Sequence, residues 1–337
     1  LIAIDPSTGE ILAMVSQPRF HPRSIRDIGA WRALQSDPAK PLLNRNMQGE
    51  YPPASIFKMI TAIAALDMGI LEADEYRFDP CEGEIAFGDR IARCHKAGGC
   101  GELNLRGALI QSCDVFFYHL GRKVGIENWN RYALLFGFGQ STQIDIAADG
   151  EAHGLVPDRT YYEKRNGKWF EGNMLNLCIG QGELLTTPLQ VARYNAALAS
   201  GKLLNPHILT DTATKTTPLP IAPTTLEAIR SMMHDVVARP TGTGRHAQLP
   251  DISVAGKTGT AQNPHGNDHA WFVAFAPVEK PRIAITVLVE NGGGGGSVAA
   301  PIAQKILKTF FEYYGEEKDP NLVAEQNVPT PTQATPR

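Results

Sequence analysis

Strand-like segments stand at both ends of this chain with helical ones between them, and that order restricts the fold more than any other feature. Residues 1–5 and 10–15 flank the turn segment Pro6-Ser7-Thr8-Gly9, which predicts a β-hairpin. Toward the other end, residues 252–254, 270–276 and 283–289 are β-branched or aromatic runs bounded by Gly, Pro and Asn. They predict central strands. Between the two ends, Ile56, Ile60, Ile63 and Ala64 recur at helical spacing and predict a helix from about Ser55 to Leu71. Leu105, Leu109, Val115, Phe116 and Leu120 predict a second helix from about Leu105 to Val124. Residues 187–199 and 224–237 are further helices, and 299–314 a closing one. Strands from opposite ends then meet in one antiparallel sheet covered by helices, an α+β arrangement with an all-helical region. A doubly wound parallel sheet needs a regular alternation that is absent. Residues 16–50 read as a long surface connection, 72–101 as irregular, and 126–175 as having no clear period. The folded domain is expected over 1–315, and the polar, Pro-rich stretch 316–337 as a disordered tail.

With 43% hydrophobic residues among 337, the chain can bury a sizeable core. Its net charge of −3 comes with no basic block, so nucleic acid is not an expected partner. No apolar run approaches the roughly 18 residues of a membrane span. The chain begins Leu1-Ile2-Ala3 without Met. It is therefore expected to be an excised piece, with a membrane anchor upstream.

Three short constellations carry chemistry. In Ser55-Ile56-Phe57-Lys58, three-residue spacing puts the amine and the hydroxyl on one helical face. A lysine there can take the proton that makes serine a nucleophile. Pro52-Pro53 set Ser55 near a helix start, where free N–H groups favour developing negative charge. In Ser112-Cys113-Asp114, Ser112 can pass a proton between Lys58 and a leaving amine, and Asp114 can hold that lysine or a substrate amide. In Lys257-Thr258-Gly259-Thr260, a strand edge can pair with an extended peptide. Gly259 lets a backbone approach closely. Thr258 and Thr260 can bind a terminal carboxylate, with Lys257 supplying positive charge. The N–H groups of Ser55 and Thr260 can form an oxyanion hole. Each constellation alone is as consistent with an ordinary surface helix or strand end. Together, in this order, they match the signature shared by β-lactamases and penicillin-binding proteins.

The longer stretches carry a more specific resemblance. Tyr51 to Lys58, Ile179-Gly180-Gln181-Gly182 with Thr187-Pro188-Leu189-Gln190, and Gly256 to Gln262 resemble class B penicillin-binding proteins. Ser112 to Tyr118 is similar to their elongation-type subfamily, penicillin-binding protein 2. The resemblance covers about residues 1–314. It implies a transpeptidase fold, acylation of Ser55 by D-Ala-D-Ala stem peptides, and inhibition by β-lactams. It also implies a periplasmic location on the inner membrane and a membrane glycosyltransferase partner, and it implies no cofactor for catalysis. Asp114 stands where the broad family more often has Asn, and Pro53-Ala54 where Pro-Gly is common. A serine β-lactamase, a D,D-carboxypeptidase or a penicillin sensor that does not turn over are the alternatives.

Of five cysteines, Cys81, Cys94, Cys100 and Cys113 cluster in sequence and Cys178 stands apart as a core residue. Spacing alone leaves open a tetrahedral zinc site, one or two disulfides, or separate buried thiols. Some elongation-type relatives carry zinc beside the second motif, with its middle residue as a ligand. That maps to Cys113, and the resemblance thus implies a structural zinc held by all four. It would pin 72–101 to the segment bearing Ser112 and Asp114, with Asp89 and His95 as spare ligands. His269 and Trp271 are candidates for the cleft wall, with strand packing the favoured role for Trp271. The glycine run 292–296 lacks the lysine of a phosphate loop and reads as a flexible connection.

Overall fold

The computed structural model describes residues 1–88, 90–146, 150–210, 212 and 214–315. The expected tail 316–337 and the spare ligand Asp89 lie outside them. In chain order the elements are β1 (Ile2–Ile4), β2 (Ile11–Met14), α1 (Ile28–Ser36), α2 (Lys58–Asp67), β3 (Glu84–Phe87) and β4 (Arg90–Arg93). Then come α3 (Leu105–Ile110), α4 (Asp114–Leu135), α5 (Arg159–Asn166), α6 (Asn173–Leu177) and α7 (Pro188–Ser200). Last are β5 (Lys202–Leu204), β6 (Thr216–Pro218), α8 (Pro223–Ala238), β7 (Ala255–Ala261), β8 (His269–Ala276), β9 (Ile283–Val289) and α9 (Ala300–Tyr314). No described helix is long and apolar enough to cross a membrane.

The two ends meet as expected. The five-stranded sheet runs β2-β1-β9-β8-β7, with Ile2 opposite Thr286 and every pair antiparallel. Successive side chains of a strand face opposite sides, and β8 uses both. Trp271, Val273 and Phe275 enter the large core shared with α2, α4, α7 and α8. Phe272, Ala274 and Ala276 enter a smaller core under α9. Trp271 is thus a fully buried packing residue.

α7 is fixed to the sheet by its sequence. Thr187 and Gln190 form a reciprocal capping box before Pro188, and Gly201 closes the far end in the left-handed region (φ 79°). Midway, buried Asn195 donates to Ala274 O at 2.8 Å and Ile285 O at 3.1 Å, tying the helix to β8 and β9.

Four expectations change. The helix placed from about Ser55 begins as a 3₁₀ turn, Ala54–Phe57, becomes α-helical at Lys58 and ends at Asp67. The helix placed over 105–124 is two helices, broken at Ser112, whose φ is 57°. The strand placed at 252–254 lies at Ala255–Ala261 instead, so the Lys257–Thr260 segment is inside it. Its glycines and alanines have weak strand preference, and pairing with β8 along all seven residues overrides that. The stretches 16–50 and 72–101, read as connections, hold α1 and the β3–β4 hairpin.

Candidate active site

The 3₁₀ turn carries the nucleophile candidate. Side chains at i and i+3 eclipse in such a turn, so Ser55 sits above Lys58, the first residue of α2. Ala54 enters the turn at φ 53°, a conformation that costs a side chain and suits glycine. The turn is held from outside. Ala54 N donates to Gly180 O at 2.7 Å, and Trp271 Nε1 donates to Pro52 O at 3.0 Å. Tyr51 Oη donates to Glu290 at 2.7 Å, and Arg45 pairs with the same carboxylate at 2.6 Å.

Lys58 is fully buried beneath this turn. Its Nζ donates to Ser112 O at 2.6 Å, Ser112 Oγ at 3.3 Å and Asp114 Oδ1 at 2.7 Å. The break at Ser112 makes this possible. In a continuous helix the Ser112 carbonyl would be engaged by the following turn; here it is free to meet the lysine. Asp114 opens α4, and its other oxygen accepts from the His95 backbone N–H at 2.7 Å. Burial pushes its carboxyl up, but the Lys58 charge and the hydrogen bonds from His95 and Lys58 outweigh that and hold it at about 2.

Lys257 approaches Ser112 from β7. Its Nζ is 2.8 Å from Ser112 Oγ and 3.0 Å from Thr258 O, and it is fully buried. Burial, reinforced by the Lys58 charge, moves its ammonium well below the ordinary lysine value. Sequence reasoning gave Lys257 a positive charge toward a substrate carboxylate. The structure instead turns it inward onto Ser112, in surroundings that favour its neutral form.

Ser55, Ser112, Asp114 and Thr258 to Thr260 line one cleft of about 530 Å³. Lys58 and Lys257 lie behind its wall. β7 is the free edge of the sheet and passes close to the nucleophile turn. A Cβ on Gly259 would lie 3.1 Å from Pro53 O and 3.3 Å from Ile56 Cγ2. Gly259 therefore admits the turn itself, where sequence reasoning assigned it to a substrate backbone. Thr258 Oγ1 donates to Thr243 Oγ1 at 2.9 Å, and Thr260 Oγ1 accepts from Gly295 N at 3.3 Å. Among the described residues no hydrogen bond reaches the Ser55 hydroxyl.

The four clustered cysteines come together beside the cleft. Their sulfurs all lie within 4.8 Å of one another, and Cys94 to Cys100 is 3.8 Å. Four thiolates at about 2.3 Å from a tetrahedral metal stand about 3.8 Å apart. A disulfide needs about 2 Å. All five cysteines are free thiols. Cys81 and Gly101 exchange backbone hydrogen bonds at 2.9 and 3.0 Å, and Cys94 N donates to Gly83 O at 2.7 Å. These bonds fix the backbone on either side of Cys81 and Cys94. Cys178 is buried in the core.

Gln181, Thr243 and Gly294 to Gly296 also line the cleft, and the sequence assigned none of them to the site. Gly295 is no flexible connection: a Cβ there would lie 2.2 Å from Trp271 O and 2.4 Å from Gly259 O. The signal was five glycines in a row at the end of a buried strand, which marks a close backbone approach. His269, a candidate for the cleft wall, does not line it, and Trp271 takes the strand-packing role.

Comparison with known proteins agrees with this geometry. Residues 1–308 match the penicillin binding protein transpeptidase domain. Peptidoglycan D,D-transpeptidase MrdA of Acinetobacter baumannii is 36% identical over 93% of this chain and 50% of its own length. Penicillin-binding protein 2 of Helicobacter pylori, solved in complex with MreC, superposes with a TM-score of 0.87 at 34% identity, covering 93% of this chain and 59% of that one. Penicillin-binding protein 2 of Pseudomonas aeruginosa, solved with WCK 5153, gives a TM-score of 0.83 at 35% identity over 94% of this chain and 71% of that one. The chain spans about half the length of the curated relatives it matches. From its first strand to its closing helix, the chain belongs to the transpeptidase domain family of penicillin-binding proteins.

Proposed function

We propose that this chain is the catalytic domain of a peptidoglycan D,D-transpeptidase acting through a Ser55 acyl-enzyme. One observation carries the reading: Lys58 from α2 and Lys257 from β7 both reach the Ser112 hydroxyl behind a cleft that Ser55 lines. Lys58, acting in its unprotonated form, takes the Ser55 proton as Oγ attacks the penultimate D-Ala carbonyl of a stem peptide, and passes it on through Ser112. The N–H groups of Ser55 and Thr260 hold the oxyanion. The acyl carbon–nitrogen bond breaks, and Ser112 hands the departing D-Ala its proton. Lys257, 2.8 Å from Ser112 Oγ, keeps that hydroxyl oriented. The amine of a second stem peptide then attacks the acyl-enzyme, restoring the Ser55 hydroxyl and closing the cross-link. Thr258 and Thr260 receive the terminal carboxylate. A β-lactam enters the same path and stops at the acyl-enzyme.

The test is the fate of the adduct. With a labelled penicillin, one equivalent is expected on the peptide containing Ser55, stable for hours. With a stem peptide and an amine acceptor, D-Ala release is expected with formation of the cross-linked product. An adduct lost within a second, to water alone, identifies a β-lactamase or carboxypeptidase instead. A stable adduct without any peptide turnover identifies a sensor.

The domain over 1–315 is proposed to work at the periplasmic face of the inner membrane, beside a membrane glycosyltransferase, with its anchor in a preceding segment. Support for such assembly is the likeness to proteins solved in complexes, one with MreC and one described as a peptidoglycan synthase complex.

Cys81, Cys94, Cys100 and Cys113 are proposed to hold a structural zinc. Four thiolates fill all tetrahedral positions and leave none for a substrate. The site would clamp the β3–β4 hairpin region to Cys113, between Ser112 and Asp114. Chain purified without chelator is expected to carry one zinc. Stripping it should lower Tm by roughly 4–5 °C, the shift about 3 kcal/mol gives at this size. A metal-free chain whose mass is lower by 2 or 4 Da overturns the zinc in favour of disulfides.

A further inference from the structure

Resting on that reading of the cleft, we propose that Gln181 is a specificity-determining residue. Its side-chain amide occupies the place on the β7 edge that an acyl-donor peptide must take, and it withdraws when such a peptide docks.

β7 pairs with β8 on one side only. Extended peptides add to such an edge through main-chain hydrogen bonds. Alternate residues of a strand turn their backbone groups the same way, so Thr258 and Thr260 both present carbonyls to the open side. Neither is vacant. Thr258 O accepts from the buried Lys257 Nζ at 3.0 Å, and Thr260 O accepts from Gln181 Nε2 at 3.1 Å. The first donor is locked in the core. The second is a neutral amide on a half-buried side chain at the mouth of the cleft, with the same donor chemistry as a peptide N–H.

The backbone around Gln181 is anchored, while its side chain is held by a single-donor bond to Thr260 O. Gly180 and Gly182 flank it at φ 77° and 78°, and a Cβ on Gly180 would lie 2.1 Å from Ala54 O. Gln181 also marks a boundary. With Gln262 and Asp268 it lines both the main cleft and a second hollow of about 440 Å³, whose other walls include Pro52, Asn263 and Pro264. With the amide withdrawn from Thr260 O, the two hollows become one groove along the β7 edge. An acyl donor that brings an N–H to Thr260 O must displace Gln181; a donor without one need not.

Two substitutions test this, Gln181→Ala and Gln181→Met, the second keeping the length of the side chain without its donor. The probes are a penicillin with an acylamino side chain and a carbapenem with a hydroxyethyl group in its place. Second-order acylation rate constants are measured for each. The penicillin-to-carbapenem ratio is expected to rise about threefold to tenfold in both variants, the gain from one competing hydrogen bond removed. A ratio within about twofold of the parent overturns the proposal, whether both rates fall together or neither moves, since Gln181 then only braces β7. If the parent chain forms no adduct at Ser55 with either probe, the reading of the cleft fails as well.

Discussion

Replacing Ser55 with alanine is expected to abolish covalent labelling by a fluorescent penicillin, with the fold intact. The hydroxyl is the only group the substitution removes. No described hydrogen bond depends on it, and the 3₁₀ turn is held by Gly180 and Trp271 through its backbone. Alanine also suits the turn. Tm should therefore stay within about 1 °C of the parent, since a surface change of this kind is worth under about 0.5 kcal/mol. Labelling should fall below detection, because a transpeptidase without its nucleophile has no acyl acceptor. Gel fluorescence and intact mass check both halves. An adduct of unchanged mass in Ser55→Ala would place the nucleophile elsewhere, with Ser112 the next residue to examine.

Lys58→Met should be the second most damaging change, and it should act twice. Loss of a positioned base typically costs about 10²–10⁴ in rate, so acylation by penicillin should slow by that order. Loss of a buried cation also leaves Asp114 without its ion-pair partner at 2.7 Å. Breaking one side of a buried pair costs about 3–5 kcal/mol, seen as a clear drop in Tm. The two losses are separable. In the double variant Lys58→Met with Asp114→Asn, the uncompensated charge is gone and much of the Tm should return. The acylation rate should not. Recovery of both together would reduce Lys58 to a structural counter-ion and leave the proton transfer to another group.

How far the sequence reveals this site depends on the range of the physics involved. Ser55 and Lys58 are three residues apart, and any helical turn stacks them, so their pairing is legible. The near-continuous apolar runs at 270–276 and 283–289 report burial on two faces, and those strands lie as expected. The break at Ser112 is different. A serine at φ 57° has no local signal, and the lysine that rewards the exposed carbonyl lies on another helix. β7 was misplaced for the same reason, since its strand character comes from β8 and not from its own glycines. Lys257 carried the right motif and the wrong direction, because burial turned its Nζ onto Ser112. Gln181 stood inside a stretch of evident resemblance, yet its bond to Thr260 exists only after two remote segments close on each other.

The pairing of Ile2 with Thr286 has a consequence for how the chain comes to be made. On a ribosome the first strand is released long before its partner exists. Until residue 289 has emerged, β1 and β2 are a lone hairpin, which is marginal in water. The helical block can settle early from contacts between near neighbours. The aromatic strand at 269–276 can be shielded only when both flanking strands are present, so the last stage of biogenesis exposes an aggregation-prone edge. Closure of the sheet in one late event suits this connectivity better than piecemeal folding during synthesis.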